Sequence, residues 1–213
     1  MLTQETFIPC KNISDGPLSN FKIDPLIFVK HYKQTTAIIH SHVTKKSPQV
    51  LDIRSPSITD LAHQKKIPIP WLIYGTDGKN CLPPVKLPRI RSSNYLGRPF
   101  IWFIFDCYTL VQDYYFFEKG IKLADHKTDK EYRDIRQLEY IFEPYIQEYG
   151  FKELNNIEGL QNGDLFIVNN GGLKRNHLVI FHNGKVLNQD TLSIEEPLEK
   201  YIGRIEKRLI YVN

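Results

Sequence analysis

Asp106-Cys107 stands where an apolar loop gives way to an amphipathic stretch, so the Cys107 thiol falls at the start of a helix. Free N–H groups at a helix N-terminus carry partial positive charge, which favours thiolate and lowers the pKa of a cysteine placed there. A thiolate is a nucleophile for acyl transfer, and it works with a base. His177 opens the apolar run Leu178-Val179-Ile180-Phe181, and a histidine at a strand edge can face a helix N-terminus across a cleft. The base needs a partner on its other ring nitrogen to fix tautomer and orientation. Asn188 fits that role, because Asn183-Gly184 signals a tight hairpin that returns the next strand alongside His177. The plainer readings are a cysteine buried as a small hydrophobe and a histidine serving as polar punctuation. His182 competes for the base role, but period-2 alternation turns it to the face opposite His177. His126 lies in a charged loop.

A second constellation sits near the start of the chain. His40-Ser41-His42 ends the apolar run Ala37-Ile38-Ile39, and residues two apart on a strand share a face. Asp60 falls in the first turn of a helix whose N-cap is Ser57. His40, His42 and Asp60 together are expected to make a three-ligand zinc site with a position open for water.

The elements that position these residues follow from periodicity and turn signals. The first part reads as a strand at 6–8, a short helix after Pro25, a strand at 37–39, the helix near 57–62, and a strand at 71–74. Gly75, Gly78, Pro83, Pro84 and Pro88 break periodicity, which predicts a linker at 76–88 between domains spanning 1–75 and 89–213. A helix is expected over 107–118, with Leu110, Val111, Tyr114 and Tyr115 on one face and Gly120 as its stop. A second helix is expected from about 130 to 149, kinked at Pro144. Strands then follow at 164–168, 176–181, 185–187 and 208–212, which is an α+β order of helices followed by an antiparallel meander. Asn169-Asn170-Gly171-Gly172 lacks phosphate-loop spacing and reads as a loop beside the cleft. Glu195-Glu196 and Glu199-Lys200 read as a solvated helical turn.

Composition narrows the classes. The 213 residues carry a net charge of +4 with scattered Lys and Arg, which argues against nucleic acid as a partner. Three cysteines at unrelated spacings form no disulfide framework and no CxxC pair. The N-terminus shows no leader pattern, no apolar run nears the length of a membrane span, and the unpaired cysteines lead us to expect synthesis in a reducing compartment.

Phe100-Ile101-Trp102, Phe105-Asp106-Cys107-Tyr108-Thr109-Leu110, Gly163-Asp164-Leu165, Asn176-His177 and Val186-Leu187-Asn188 resemble, in order and spacing, the NlpC-type cell-wall peptidases. The resemblance implies a papain-like fold from about Arg89 onward, with Cys107 as nucleophile, His177 as base and Asn188 as its orienting partner, and no cofactor. Such enzymes cleave amide bonds in peptidoglycan stem peptides. Two positions depart from the pattern: Asn188 stands where His is common, and Phe100, which has no donor, stands where Tyr is common. With Asp113-Tyr114-Tyr115, the pattern is similar to the tail assembly protein K group of lambda-like tailed phages.

That group joins a JAB/MPN-type metallopeptidase domain ahead of the cysteine peptidase. Phe7-Ile8-Pro9-Cys10-Lys11-Asn12-Ile13-Ser14, His40-Ser41-His42, Ser57-Ile58-Thr59-Asp60 and Pro70-Trp71-Leu72-Ile73 resemble that domain. Val43 replaces the usual Pro, the stretch from His42 to Asp60 is longer than usual, and the general-base Glu is expected upstream of this chain's first strand; Glu5 does not take its place. The resemblance thus implies an α+β protein, an incomplete JAB/MPN-like α/β domain followed by a papain-like NlpC-type domain. The expected function is a tail-tip endopeptidase acting on peptidoglycan during genome entry, or on a tail protein during assembly. Other tail-tip proteins and peptidoglycan are the expected partners. The alternatives are a catalytically silent tail-tip component and a zinc metallopeptidase through the first domain.

Overall fold

The computed structural model describes residues 1–3, 6–17, 20–43, 52–125, 142–143, 146–171 and 173–212. They form two compact units, Met1–Ile90 and Arg91–Asn213.

The first unit is built on a four-stranded sheet in the order β1 (Leu2–Thr3), β2 (Thr35–Val43), β3 (Trp71–Thr76), β4 (Cys81–Leu87). Helix α1 (Pro25–His31) begins at an Asp24 cap with Pro25 in its first turn, where a missing N–H costs nothing. β2 and β3 run parallel, and α2 (Ile58–Lys66) lies on the connection between them. Ala37, Ile38, Trp71 and Ile73 are buried, as the apolar runs require. His40 and His42 fall toward the carboxyl end of β2, the end where open sheets with parallel strands present ligand groups.

Two expectations change here. The strand opening the unit is Leu2–Thr3 rather than 6–8. Residues 81–87, expected in a linker at 76–88, instead pair antiparallel with β3 as β4. Pro83 and Pro84 broke the periodicity, but an edge strand tolerates proline because one side of it needs no N–H.

The second unit carries α3 (Cys107–Lys119) against an antiparallel six-stranded sheet. Its strands are β5 (Phe151–Leu154), β6 (Leu165–Asn170), β7 (Leu173–His182), β8 (Lys185–Gln189), β9 (Ser193–Pro197) and β10 (Ile205–Tyr211), in the order β5-β10-β6-β7-β8-β9. The α+β character expected for this half holds. Leu110, Val111, Tyr114 and Tyr115 of α3 pack in one core with Leu165, Ile167, Leu178, Ile180, Leu187 and Leu209. The alternate strand residues Phe166, Val168, Val179 and Val186 form a second core with Tyr201. Of the helix expected at 130–149, residues 130–141 and 144–145 lie outside the described residues, as do His126 and Pro144, and residues 146–150 form a turn.

α3 starts at a reciprocal cap. Asp106 accepts from Thr109 N at 2.8 Å, and Asp106 N donates to the Thr109 hydroxyl at 2.7 Å. A cap of this kind is worth about 1 kcal/mol. Asp106 also accepts from Phe103 N at 2.8 Å, stabilising a turn in which Phe103 has a φ of 64°. The segment ahead of that turn is stitched to the other end of the sheet by Gly97 N and Phe100 N, which donate to Ser193 O and Thr191 O. Arg98 then reaches Asp113 of α3 at 3.0 Å, both side chains almost fully buried. Removing one partner of such a pair strands a buried charge and costs roughly 3–5 kcal/mol. The loop before Cys107 is therefore held from both sides.

Candidate active site and metal cluster

Cys107 is the first residue of α3 and is 5% exposed. Main-chain N–H groups of Leu178, Tyr108 and Cys107 itself lie close enough to favour negative charge on its sulfur. Leu178 directly follows His177 on β7, so the thiol meets the strand one residue from the imidazole. The lowered thiol pKa expected from the helix end does not hold. Burial, and then the neighbouring Asp106 charge, push it up to about 12, and the three N–H groups offset only part of this. The resting group is a thiol.

His177 and Asn188 lie on adjacent strands. Asn188 pairs with Val179, which makes it the diagonal neighbour of His177 on the same face of the sheet. The two are hydrogen-bonded, Nε2 to Oδ1, at 2.6 Å, and both are buried. An amide oxygen only accepts, so Nε2 carries the proton and Nδ1 the lone pair. Burial lowers the His177 pKa, with Arg204 acting in the same direction, while Asn188, Asp190 and Asp106 oppose. The imidazole is neutral near pH 7.

The structure thus joins His177 to Asn188 and sets the main chain of the next residue, Leu178, beside Cys107. His182 turns to the opposite face, as alternation requires, and its Nδ1 meets the Tyr114 hydroxyl on α3 at 3.0 Å. Phe100 packs at a tilt against Trp102, with ring centroids 5.8 Å apart. Sequence reasoning missed the N–H of Leu178, a main-chain group present at every residue and therefore without a signal. It also missed Glu196, read as part of a solvated helical turn: the residue lies on β9 and contacts Asn188.

In the first unit, His40 Nε2, His42 Nε2 and the Asp60 carboxylate converge. His40 lies 3.2 Å from Oδ1 of Asp60, His42 lies 3.2 Å from Oδ2, and the two ring nitrogens are 3.2 Å apart. A zinc ion bound tetrahedrally at about 2.0–2.1 Å holds its ligand atoms roughly 3.3 Å from one another. Each imidazole approaches a different oxygen of the Asp60 carboxylate near that spacing, and with one ligand atom from each residue all three lie within 4.8 Å, so the residues fit such a cation. His42 Nδ1 meets the Ile53 carbonyl at 2.8 Å, which puts its proton there and leaves Nε2 a lone pair aimed into the cluster. Gly75, paired with His42 across the sheet, makes that contact possible: a Cβ at Gly75 would come within 2.5 Å of the Ile53 side chain.

Asp60 is buried, which by itself would raise its pKa. The neighbouring imidazoles of His40 and His42, and the Ser57 donors, reverse this and hold its carboxyl well below the usual range. Burial opposes the charged form of His42, yet Asp60 and the Ile53 carbonyl leave its pKa raised. Ser57 anchors the carboxylate from behind, donating to Oδ2 from both N and Oγ at 2.8 Å. Phe21 stacks on the His40 ring with centroids 4.5 Å apart.

Comparison with known proteins places these observations. Residues 97–207 match the NlpC/P60 family. The chain is 29% identical over 188 residues to tail tip assembly protein K of Escherichia phage N15, covering 86% of this chain and 71% of that protein. No solved structure matches the chain. Among the described residues, no helix is long and apolar enough to cross a membrane.

Proposed function

The chain belongs to the NlpC/P60 family, and from that premise we propose that it is a phage tail-tip cysteine endopeptidase cutting peptidoglycan stem peptides during genome entry or tail assembly. One observation carries the reading: the His177–Asn188 hydrogen bond of 2.6 Å on the strand whose Leu178 N–H meets the Cys107 sulfur. The likeness to a tail tip assembly protein supports a place in the virion tail, with other tail-tip proteins as partners.

The chemistry follows from the protonation states. Thiol and imidazole are both neutral at rest, so the thiol proton passes to His177 Nδ1 as the sulfur attacks the scissile carbonyl. Asn188 Oδ1 stabilises the imidazolium that forms. Developing thiolate charge is met by N–H groups of Leu178 and the first turn of α3. The oxyanion draws on main-chain donors, since Phe100 offers none. His177 gives its proton to the leaving amine, and the thioester left on Cys107 is released by water that His177 deprotonates.

A second reading concerns the first unit: a JAB/MPN-like domain in which His40, His42 and Asp60 hold zinc. The mutual 3.2 Å separations favour it. A bound zinc ion there supplies Lewis acidity toward water or a carbonyl. The chain's own part is to fix three ligand atoms, through Ile53 behind His42 and Ser57 behind Asp60.

The deciding experiment is digestion of purified peptidoglycan, with the released fragments identified by mass spectrometry. Fragments released by the wild type, lost in Cys107→Ala and unaffected by chelator are the expected result. A folded wild type that releases no fragments leaves a protein substrate within the tail or a silent structural component. Fragments that chelator abolishes transfer the activity to the metal cluster.

A further inference from the structure

Asn188 is held at both ends of its amide. Its Oδ1 meets His177 Nε2 at 2.6 Å, and its Nδ2 donates to Glu196 Oε2 at 3.3 Å. Glu196 is itself held: the Tyr201 hydroxyl donates to Oε2 through a short hydrogen bond, and Lys200 Nζ lies 3.0 Å from Oε1. Tyr201 is 1% exposed, locked in the core formed with Phe166, Val168, Val179 and Val186. The chain His177–Asn188–Glu196–Tyr201 thus runs from the imidazole into a rigid part of the fold.

An amide has one accepting end and one donating end, and its two orientations have nearly the same shape. Turning Asn188 over would set its oxygen against the Glu196 carboxylate, acceptor against acceptor. It would also set its NH2 against His177 Nε2, driving the ring proton to Nδ1. That tautomer cannot take a proton from Cys107 at Nδ1. We propose that Glu196 is a positioning residue of the cysteine site, whose carboxylate fixes the orientation of Asn188 and, through it, the tautomer of His177. The inference rests on the cysteine-peptidase reading. Hydrogen bonds from Tyr201, then Lys200 and Asn188, hold the Glu196 carboxyl below its ordinary range, so the anion is present at neutral pH. The charges acting on His177 come from Asp190, Arg204 and Asp106 and sit on other elements.

Glu196→Gln keeps the shape and removes the charge. Three readouts follow it in the full chain: the His177 tautomer by 15N NMR, the carboxamidomethylation rate of Cys107 by peptide mass spectrometry, and turnover. The expected result is a mixed tautomer, with alkylation and kcat falling about tenfold, as when an outer hydrogen-bond partner is lost, and KM unchanged. Asn188→Asp added to Glu196→Gln restores the rate, because a carboxylate accepts at both ends and needs no orienting. Tyr201→Phe, which removes one donor to Glu196, moves the readouts the same way by less. It stands in should Glu196→Gln fail to fold. Glu196→Gln protein that melts like wild type, keeps the Nε2–H tautomer and alkylates at the wild-type rate overturns the inference. So does a double variant no faster than Glu196→Gln. A wild type whose Cys107 alkylation depends on Glu196 but which cuts neither peptidoglycan nor peptide keeps the positioning role and removes the peptidase reading.

Discussion

The His40–His42–Asp60 cluster and the His177–Asn188–Glu196 chain beside Cys107 each join three polar side chains, yet they balance donors and acceptors in opposite ways. In the first, two ring nitrogens and an ionised carboxylate converge within 3.2 Å of one another, an excess of lone pairs that a cation satisfies. In the second, the ring N–H of His177 and the amide N–H of Asn188 each have an acceptor, and the Cys107 thiol and His177 imidazole are both neutral at rest. The histidines carry the difference. His42 is anchored through Nδ1 by a carbonyl and presents Nε2; His177 is anchored through Nε2 by an amide and presents Nδ1. The ring nitrogen a histidine offers is set by what holds the other one.

Four tests break or sharpen this contrast. The largest effect expected is from Cys107→Ala, which lowers peptidoglycan turnover at least about 10³-fold and leaves zinc content unchanged by elemental analysis. Residual turnover removed by chelator would merge the two sites. Next, Asp60→Asn lowers zinc affinity more than about 100-fold, beyond the upper end for loss of an outer hydrogen-bond partner, in competition with a chromophoric chelator, while fragment release stays at the wild-type rate.

The third is a pH profile. Burial lowers the His177 pKa from its ordinary 6.5, so most of the imidazole is still neutral at that pH and kcat/KM keeps more than about half its value from pH 7 down to 6.5. Below the lowered value, each further pH unit removes about nine-tenths of the neutral base. The stability tied to this group runs the same way. The unfolded chain takes up the proton first, so stability is full above 6.5 and declines as pH falls. An acid limb centred above 6.5 contradicts the buried neutral imidazole. The smallest effect is Ser57→Ala, which removes a helix cap and shifts the denaturation free energy by about 1 kcal/mol.

Much of both sites is legible in the sequence because it depends on local rules. Ser57 with Asp60 and Asp106 with Thr109 are capping pairs three residues apart, and both form. Asn183-Gly184 sets the turn, and with it the register that brings Asn188 beside His177. What was not legible depends on burial and on distant partners. The helix end does act on Cys107, but a fully packed thiol outweighs it. The prolines at 83 and 84 read as a linker because nothing local says that β3 lies beside them. Glu196 reads as a surface charge because its partners, Asn188 and Tyr201, come from another strand and from a turn beyond its own.

The strand order has a consequence for how the second unit is assembled. β10 follows β9 along the chain, yet it lies between β5 and β6. The β7–β8 hairpin that aligns His177 with Asn188 is local and can pair early, whereas seating β10 beside β5 and β6 closes loops tens of residues long, and closure of that kind is the slow part of folding. Leu209 of β10 shares a core with Cys107. A chain emerging from the ribosome can therefore pair His177 with Asn188 before Cys107 is sealed into its core, a step that waits until β10 has been made.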